Sequence, residues 1–545
     1  MLQNKAHIGP PAGFEEDGRN FRRKPVNMGM FFSDLKPLSK EKPLRANLLD
    51  IGFGGARIST SQPLKKGMWI HPITYDDSAK GSGSASILES CWNDKAKVVW
   101  EETEHQESEK ESANYRYGLE FANDPKRVLK YRFYQLLPKL MMIFIGLGIV
   151  NIVYLKWFNL FYYWYDPVVH TYSLFIGVFI LSRFVLALFY SPPPDKGYLP
   201  TITTVIACKN EEDSIRKTID CVYRSDYPKD RLEVIVVNDG STDQTLKEMN
   251  MAKRAHPNLK VVEFEENRGK RAGMAIGAKM ARGEILVYID SDSFIQRDGL
   301  YKIVQGFVDA DVGAVCGHAY VTNARKNLLT KMQEVRYFIA FRVIKAAESL
   351  FSNVTCCSGC FAAYRREYVM PILSAWLHQK FLGTQATFGD DRSLTNFMLR
   401  KYRVIYHSEA VCTTIVPENY FKFFSQQLRW KKSWIRECFL AARFMWRKHP
   451  FAALSFYGSV LFPLVGPFII LKAVFLPVLG YGPVSYLYLY GAILISFMFS
   501  LVYLVFNRKS LWIYGVSFSI FYILFLSWQT YYALLTVRKN HWGTR

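Results

Sequence analysis

Between Gly383 and Glu437 the chain places an adjacent carboxylate pair, Asp390 and Asp391, ahead of a basic and aromatic segment that contains Gln426, Arg429 and Trp430. These residue types suit the activation of a sugar hydroxyl beside a nucleotide diphosphate. An aspartate can accept the hydroxyl proton, an arginine can hold phosphate oxygens, and a tryptophan offers a flat apolar face to a sugar ring. Further upstream, Asp290 and Asp292 in IDSDS form a DxD pair, a pattern that lets carboxylates meet a divalent cation such as Mg²⁺ or Mn²⁺ bridging a diphosphate. The run Arg268 to Arg271 (RGKR) puts three cations into one loop.

These groups need a scaffold. TITTVIAC, LEVIVVND and ILVYID read as strands alternating with helical stretches, the pattern of a parallel α/β sheet with crossover helices. Ligands gather at the carboxyl ends of such strands, and Glu211, Asp239, Asp290 and Asp292 all follow a strand end.

The segments GDDR and QQLRW resemble the GDDR and QxxRW motifs of processive family 2 glycosyltransferases, in wording nearest to hyaluronan synthases and more distantly to chitin and cellulose synthases. The resemblance implies a GT-A nucleotide-sugar fold over residues 199–440. It implies a UDP-sugar bound with Asp239 and Glu211 near the uridine and Lys270 and Arg271 facing the diphosphate. Asp290 and Asp292 would hold the metal, and Gln426, Arg429 and Trp430 would line the sugar site. By analogy with the TED motif of cellulose synthases, Asp391 is expected as the general base with Asp390 in support, and Arg392 to hold either acid ionised. CCSGCFAAYRRE resembles the family's acceptor loop, with Cys360 where proline is usual.

Residues 1–125 are polar with short alternating segments, including ANLLDIGFGGARIS, AKVVW and YRYGLEF, and predict a small β-barrel. The basic cluster Arg19, Arg22 and Arg23 and the turn from Asp50 through Gly52 to Gly55 resemble a PilZ domain. That likeness implies cyclic di-GMP as an allosteric ligand, with arginines clamping phosphate and glycines allowing close backbone approach. EETEHQESEKES is expected as a solvated hairpin loop.

Of 545 residues, 50% are hydrophobic and 16% aromatic, which favours a membrane enzyme. Two apolar runs in 135–192 are expected to form a transmembrane hairpin, and three more in 450–540 a C-terminal membrane region ending in WGTR. An odd number of crossings would put the basic tail outside, so one of the last three runs is expected to be re-entrant, interfacial or broken. Phe421 to Trp446 reads as a helix in the membrane interface. The net charge of +22 follows the positive-inside preference and calls for no nucleic acid. The resemblance places the chain in a bacterial inner membrane, multi-pass, with both soluble domains cytoplasmic. Its expected partners are a UDP-sugar donor, a growing polysaccharide, the lipid bilayer, and export or periplasmic proteins. All nine cysteines fall in expected cytoplasmic segments and predict free thiols. Two other readings stand beside a polysaccharide synthase: a non-processive lipid-linked sugar transferase, and an inactive cyclic di-GMP receptor that signals through a partner.

Overall fold

The structure is a computed structural model that describes residues 24–34, 44–52, 55–61, 63–75, 96–104, 114–121, 125–162, 166–482, 485–507 and 510–539. The chain divides into two compact units, residues 1–136 and 137–545.

In the first unit β1 (Lys24–Asp34), β2 (Leu44–Gly52), β3 (Gly55–Thr60), β4 (Trp69–Tyr75), β5 (Ala96–Glu104) and β6 (Asn114–Phe121) close into a barrel in the order β1-β2-β3-β6-β5-β4. The alternation expected of half-buried strands is present, because Ala56 and Ile58, Ala96 and Val98, and Tyr117 and Leu119 all point inward. The Tyr117 hydroxyl, buried among them, accepts the Leu64 N–H at 2.7 Å. Asp50 lies on β2, and Gly52 pairs with Gly55 where β2 turns into β3. The acidic run is shorter as a loop than expected: Glu101 to Glu104 belong to β5, in register with Tyr117 to Asn114 of β6. Arg19, Arg22, Arg23, Cys91 and the WGTR tail lie outside the described residues.

The second unit holds an eight-stranded sheet built from β7 (Ile202–Cys208), β8 (Leu232–Asp239), β9 (Lys260–Phe264), β10 (Ile285–Tyr288), β11 (Ser293–Ile295), β12 (Val312–Val321), β13 (Ala362–Arg365) and β16 (Arg403–Thr414). Its order is β11-β16-β12-β13-β10-β7-β8-β9, and β14 (Lys380–Phe381) pairs with β15 (Thr384–Gln385) as a separate hairpin. The quartet β10-β7-β8-β9 is parallel, as the sequence predicts. Beyond β10 the sheet is mixed, because β13 runs antiparallel to both β10 and β12. Every residue of β7 and of β10 is buried, which explains why these strands read as unbroken apolar runs. The Lys270–Met280 helix lies close on β7: a Cβ at Gly277 would come within 2.3 Å of Val205. That approach fixes the height at which Lys270 opens the helix.

Among the described residues four helices are long and apolar enough to cross a membrane: Leu136–Phe158, Pro167–Leu188, Pro450–Val478 and Tyr486–Asn507. The first belongs to a helix that begins earlier, at Pro125. Large apolar side chains such as Leu147, Val150 and Leu188 are exposed on them, as a lipid-facing surface requires. The last apolar run is not one straight helix. Ser510–Leu526 and Gln529–Leu535 meet at a 42° bend, which makes this the interrupted one of the three C-terminal runs.

Candidate active site

β10, β7 and β8 are adjacent and parallel, so their carboxyl ends deliver Asp290 and Asp292, Glu211, and Asp239 to one edge of the sheet. Asp239 closes β8, and its Oδ1 accepts the N–H groups of Arg268 at 2.7 Å and Gly269 at 3.2 Å. Burial raises its carboxyl above the usual range, against the pull of those two donors. The Glu211 carboxylate accepts the Ser214 hydroxyl at 2.9 Å.

A cavity of about 670 Å³ gathers these acids with Lys270, Asp390, Asp391, Gln426, Arg429 and Trp430. Lys270 Nζ donates to Asp290 Oδ1. Burial opposes its charge, yet Asp290, helped by Asp390 and Asp391, holds the ammonium above its usual range. Asp292 is pushed up to about 7, first by burial and then by the charge of Asp290. Two carboxylates crowded in this way, with hard oxygen donors, suit a divalent cation. Among the described residues no cluster of three or more His, Cys, Asp or Glu side chains is gathered for a metal. A cation here would therefore complete its shell with phosphate oxygens and water.

The GDD turn is held from behind. Gly389 has φ +76°, and a Cβ there would fall 1.7 Å from Ser433 Oγ, so only glycine lets this turn dock on the Tyr420–Met445 helix. Arg436 of that helix donates to the Phe388 carbonyl at 2.5 Å. Asp390 and Asp391 then open the Asp390–Leu399 helix, where its N-terminal N–H groups favour negative charge.

Arg271 departs from the expectation that it faces the diphosphate. It is 4% exposed, its Nε donates to Asp390 Oδ1 at 2.7 Å, and its Nη1 donates to the Trp376 carbonyl and to Gln379 Oε1. The cation that holds Asp390 is therefore Arg271 and not Arg392. The reason is helical geometry: one residue after Lys270 the chain has turned by about 100° into the core. Arg268 also leaves the cavity, with its guanidinium over the Phe264 ring. Of the RGKR cations only Lys270 lines the cavity.

Gln426, Arg429 and Trp430 share one face of the Tyr420–Met445 helix, at the three- and four-residue spacings of a helix surface. Trp430 is 41% exposed, which excludes a core role, and its ring neighbours Tyr337 and the Arg336 guanidinium. Gln426 Oε1 is buried and has no hydrogen-bond partner among the described residues, an acceptor open to a donor in the cavity. The cavity then runs on to Ser459 and Pro463 of the Pro450–Ile470 helix and to Tyr522 and Thr530 of the bent C-terminal pair.

Several participants escape a reading of motifs. Arg336 and Lys345 line the cavity from segments with no motif. Gln379 and Glu437 join the support network: Gln379 Nε2 and Asn396 Nδ2 both donate to the buried Glu437 carboxylate, as does Arg436 Nε at 2.8 Å. Glu437 did leave a trace, since it is the sole acid in an otherwise basic helix. The eight described cysteines are free thiols.

Residues 203–373 match glycosyl transferase family 2. The hyaluronan synthase of Streptococcus pyogenes is 29% identical over 387 residues, spanning 69% of this chain and 90% of that protein. The protein is a glycosyltransferase with a family 2 domain over residues 203–373. An N-acetylglucosaminyltransferase of Rhizobium meliloti is 32% identical over 270 residues, covering 49% of this chain and 63% of its own length. Among solved structures, a mannosyltransferase of Pyrobaculum calidifontis in complex with GDP-Man and Mn²⁺ aligns with a TM-score of 0.47 and 23% identity, over 66% of this chain and 96% of that one. The family match and the mixed sheet make the catalytic domain of this glycosyltransferase GT-A-like. With its apolar helices, it is a membrane protein.

The Arg271–Asp390 pair gives a direct prediction for the glycosyltransferase. Arg271→Met leaves the Asp390 carboxylate buried without the guanidinium that pairs with it, which costs about 3–5 kcal/mol. The apparent unfolding temperature of the detergent-solubilised full chain should fall, and adding Asp390→Asn should restore part of the loss. A single variant as stable as the parent would show that the pair does not hold the turn.

Proposed function

We propose that this glycosyltransferase is a processive polysaccharide synthase, which moves a sugar from a UDP-sugar to the non-reducing end of a β-linked polymer with inversion and passes the polymer across a bacterial inner membrane. The observation that carries the reading is the continuity of the cavity, from the acids at the strand ends past Trp430 to Pro463 and Tyr522 on apolar helices. The similarity to hyaluronan synthase over most of that protein supports the same reading.

In this mechanism Asp391 takes the proton of the acceptor hydroxyl as its oxygen attacks the anomeric carbon. The bond from that carbon to the UDP oxygen breaks, and the charge developing on the diphosphate is met by Lys270 and Arg429. Arg271 holds Asp390 behind the base, and Trp430 with Gln426 seats the acceptor sugar by stacking and hydrogen bonding. A divalent cation held by Asp290 and Asp292 supplies further neutralisation of the diphosphate when bound. The burial of Asp292 beside a second carboxylate supports that role. On this reading the catalytic unit and the barrel are cytoplasmic, the helices cross the membrane several times, and export or periplasmic proteins receive the product.

The closed six-stranded barrel supports a PilZ-like receptor for cyclic di-GMP, with Arg19, Arg22, Arg23, Asp50, Gly52 and Gly55 as its ligand-binding residues. A ligand regulates only if it prefers one state of the enzyme.

Three outcomes test the proposal. Asp391→Asn cannot accept a proton and should lower polymer synthesis by about 10²–10⁴-fold while UDP still binds. Near-parent synthesis, followed by incorporation of radiolabelled UDP-sugars given singly and in pairs, would remove Asp391 as the base. Asp292→Ala should weaken UDP binding in the presence of Mg²⁺ or Mn²⁺ and make it indifferent to chelator. Titration calorimetry on the full chain reads this, and binding equal to that of the parent would dismiss the metal assignment. Cyclic di-GMP should stimulate synthesis, and Arg22→Ala together with Arg23→Ala should remove the stimulation. Synthesis that ignores the dinucleotide would leave the barrel a structural module.

A further inference from the structure

The loop that begins at Cys356 touches both reacting centres of the cavity. At one end Cys356 Sγ lies 3.7 Å from Asp391 Oδ2. At the other, a Cβ on Gly359 would sit 2.9 Å from Asp290 Oδ1, so the backbone there is pressed against the DxD carboxylate.

The loop is not free to drift between these ends. Lys345 Nζ, on a buried side chain, donates to the Cys356 carbonyl. The Cys357 N–H donates to Thr395 Oγ1 at 2.9 Å, and that hydroxyl donates in turn to the Asp391 carbonyl at 2.7 Å. Thr395 and Cys357 are both fully buried. The Thr355 N–H and hydroxyl are taken by the Glu348 carboxylate. The thiol is therefore set against the carboxylate by bonds on either side of it.

We propose that Cys356 is a positioning residue for the transfer reaction, its S–H donating to Asp391 Oδ2 so that the carboxylate stays ionised and keeps one orientation toward the acceptor hydroxyl. The inference rests on the assignment of Asp391 as the base. Direction follows from chemistry, since an ionised carboxylate only accepts and a protonated thiol is the donor. Burial, and then the charge of Asp391, push the Cys356 thiol up to about 12, which keeps its proton in place at neutral pH. The Arg392 N–H occupies the other oxygen, Oδ1, at 2.8 Å. Each oxygen thus has one fixed donor and a remaining lone pair, and the proton from the acceptor can arrive in only a narrow set of directions.

The other charged or titratable groups around Asp391 are Lys270, Asp390, Arg392 and Tyr364. None of them replaces a donor at Oδ2 from the loop side. Serine in place of Cys356 keeps a donor of similar size, whereas alanine removes it.

The test uses the full chain in its membrane, with initial rates of incorporation from radiolabelled UDP-GlcNAc, with and without UDP-GlcA, across the acidic and neutral pH range. Removing a donor from a carboxylate makes its protonated form more favourable. Cys356→Ala should therefore move the acidic limb of the pH–rate profile upward by about half to one pH unit, and Cys356→Ser should return it toward the parent. UDP binding to each variant, measured alongside, reports on folding. An alanine profile that overlays the parent, or one lowered uniformly at every pH, would overturn the proposal, as would a serine variant that behaves like alanine. Asp391→Asn in the same assay separates the two assignments: if it is inactive while the alanine profile is unmoved, only the thiol's role fails, and if it is active the base assignment fails first.

Discussion

The site depends on one buried ion pair. Arg271 comes from the helix that follows β9 and Asp390 from the first turn after the GDD glycine, 119 residues later in the chain. Burying two charges is costly unless they meet with good geometry and their remaining donors are used. Here Nη1 of the guanidinium also feeds the Trp376 carbonyl and Gln379 and its face lies over the Trp376 ring, while Nη2 finds no partner among the described residues. Because Arg271 follows Lys270 and Asp390 precedes Asp391, the pair ties the Lys270 ammonium to the Asp391 carboxylate through one peptide link on each side.

The support then passes outward through polar groups of low exposure. Gln379 accepts from Arg271 and Ser393 and donates to Glu437, and Glu437 collects Asn396 and Arg436. The aromatic helix that carries Gln426, Arg429 and Trp430 is thereby fixed to the helix that carries the acids. A network of this kind is costly if one member is missing and rigid when complete. That all-or-none character suits two reactants that must be brought within bonding distance at each cycle.

Much of this was legible in the sequence where a local pattern was enough. The apolar runs of β7, β8 and β10 announce buried parallel strands, and that pattern alone puts the acids after them at one edge. The alternation in β3 and β6 announces the barrel in the same way. What the sequence could not reveal is direction around a helix next to its first turn: Lys270 and Arg271 look equivalent in RGKR, and only packing of Gly277 against Val205 decides which one faces the cavity. Nor could spacing show that Gln379 and Glu437 meet, since their partners lie dozens of residues away. The mixed half of the sheet was hidden for a related reason. β13 is short and antiparallel, and strand direction leaves no mark on composition.

The bend in the last apolar pair has a mechanical consequence. At a break in a helix, carbonyl groups lose their usual donors, and in hydrocarbon no water replaces them. Lys431 reaches across from the aromatic helix to the Leu526 carbonyl and to Thr530 Oγ1, and Gln529 Nε2 returns a bond to the Phe424 carbonyl. Burial, with Arg336 adding to it, lowers the Lys431 ammonium to about 7, so this tie is made by a cation that is easily discharged. The bend is thus latched to the same helix that carries Trp430 into the cavity. A tilt or vertical displacement of the final helices, of the sort a thinner or thicker bilayer imposes, would therefore pull on the wall of the cavity that Trp430 lines.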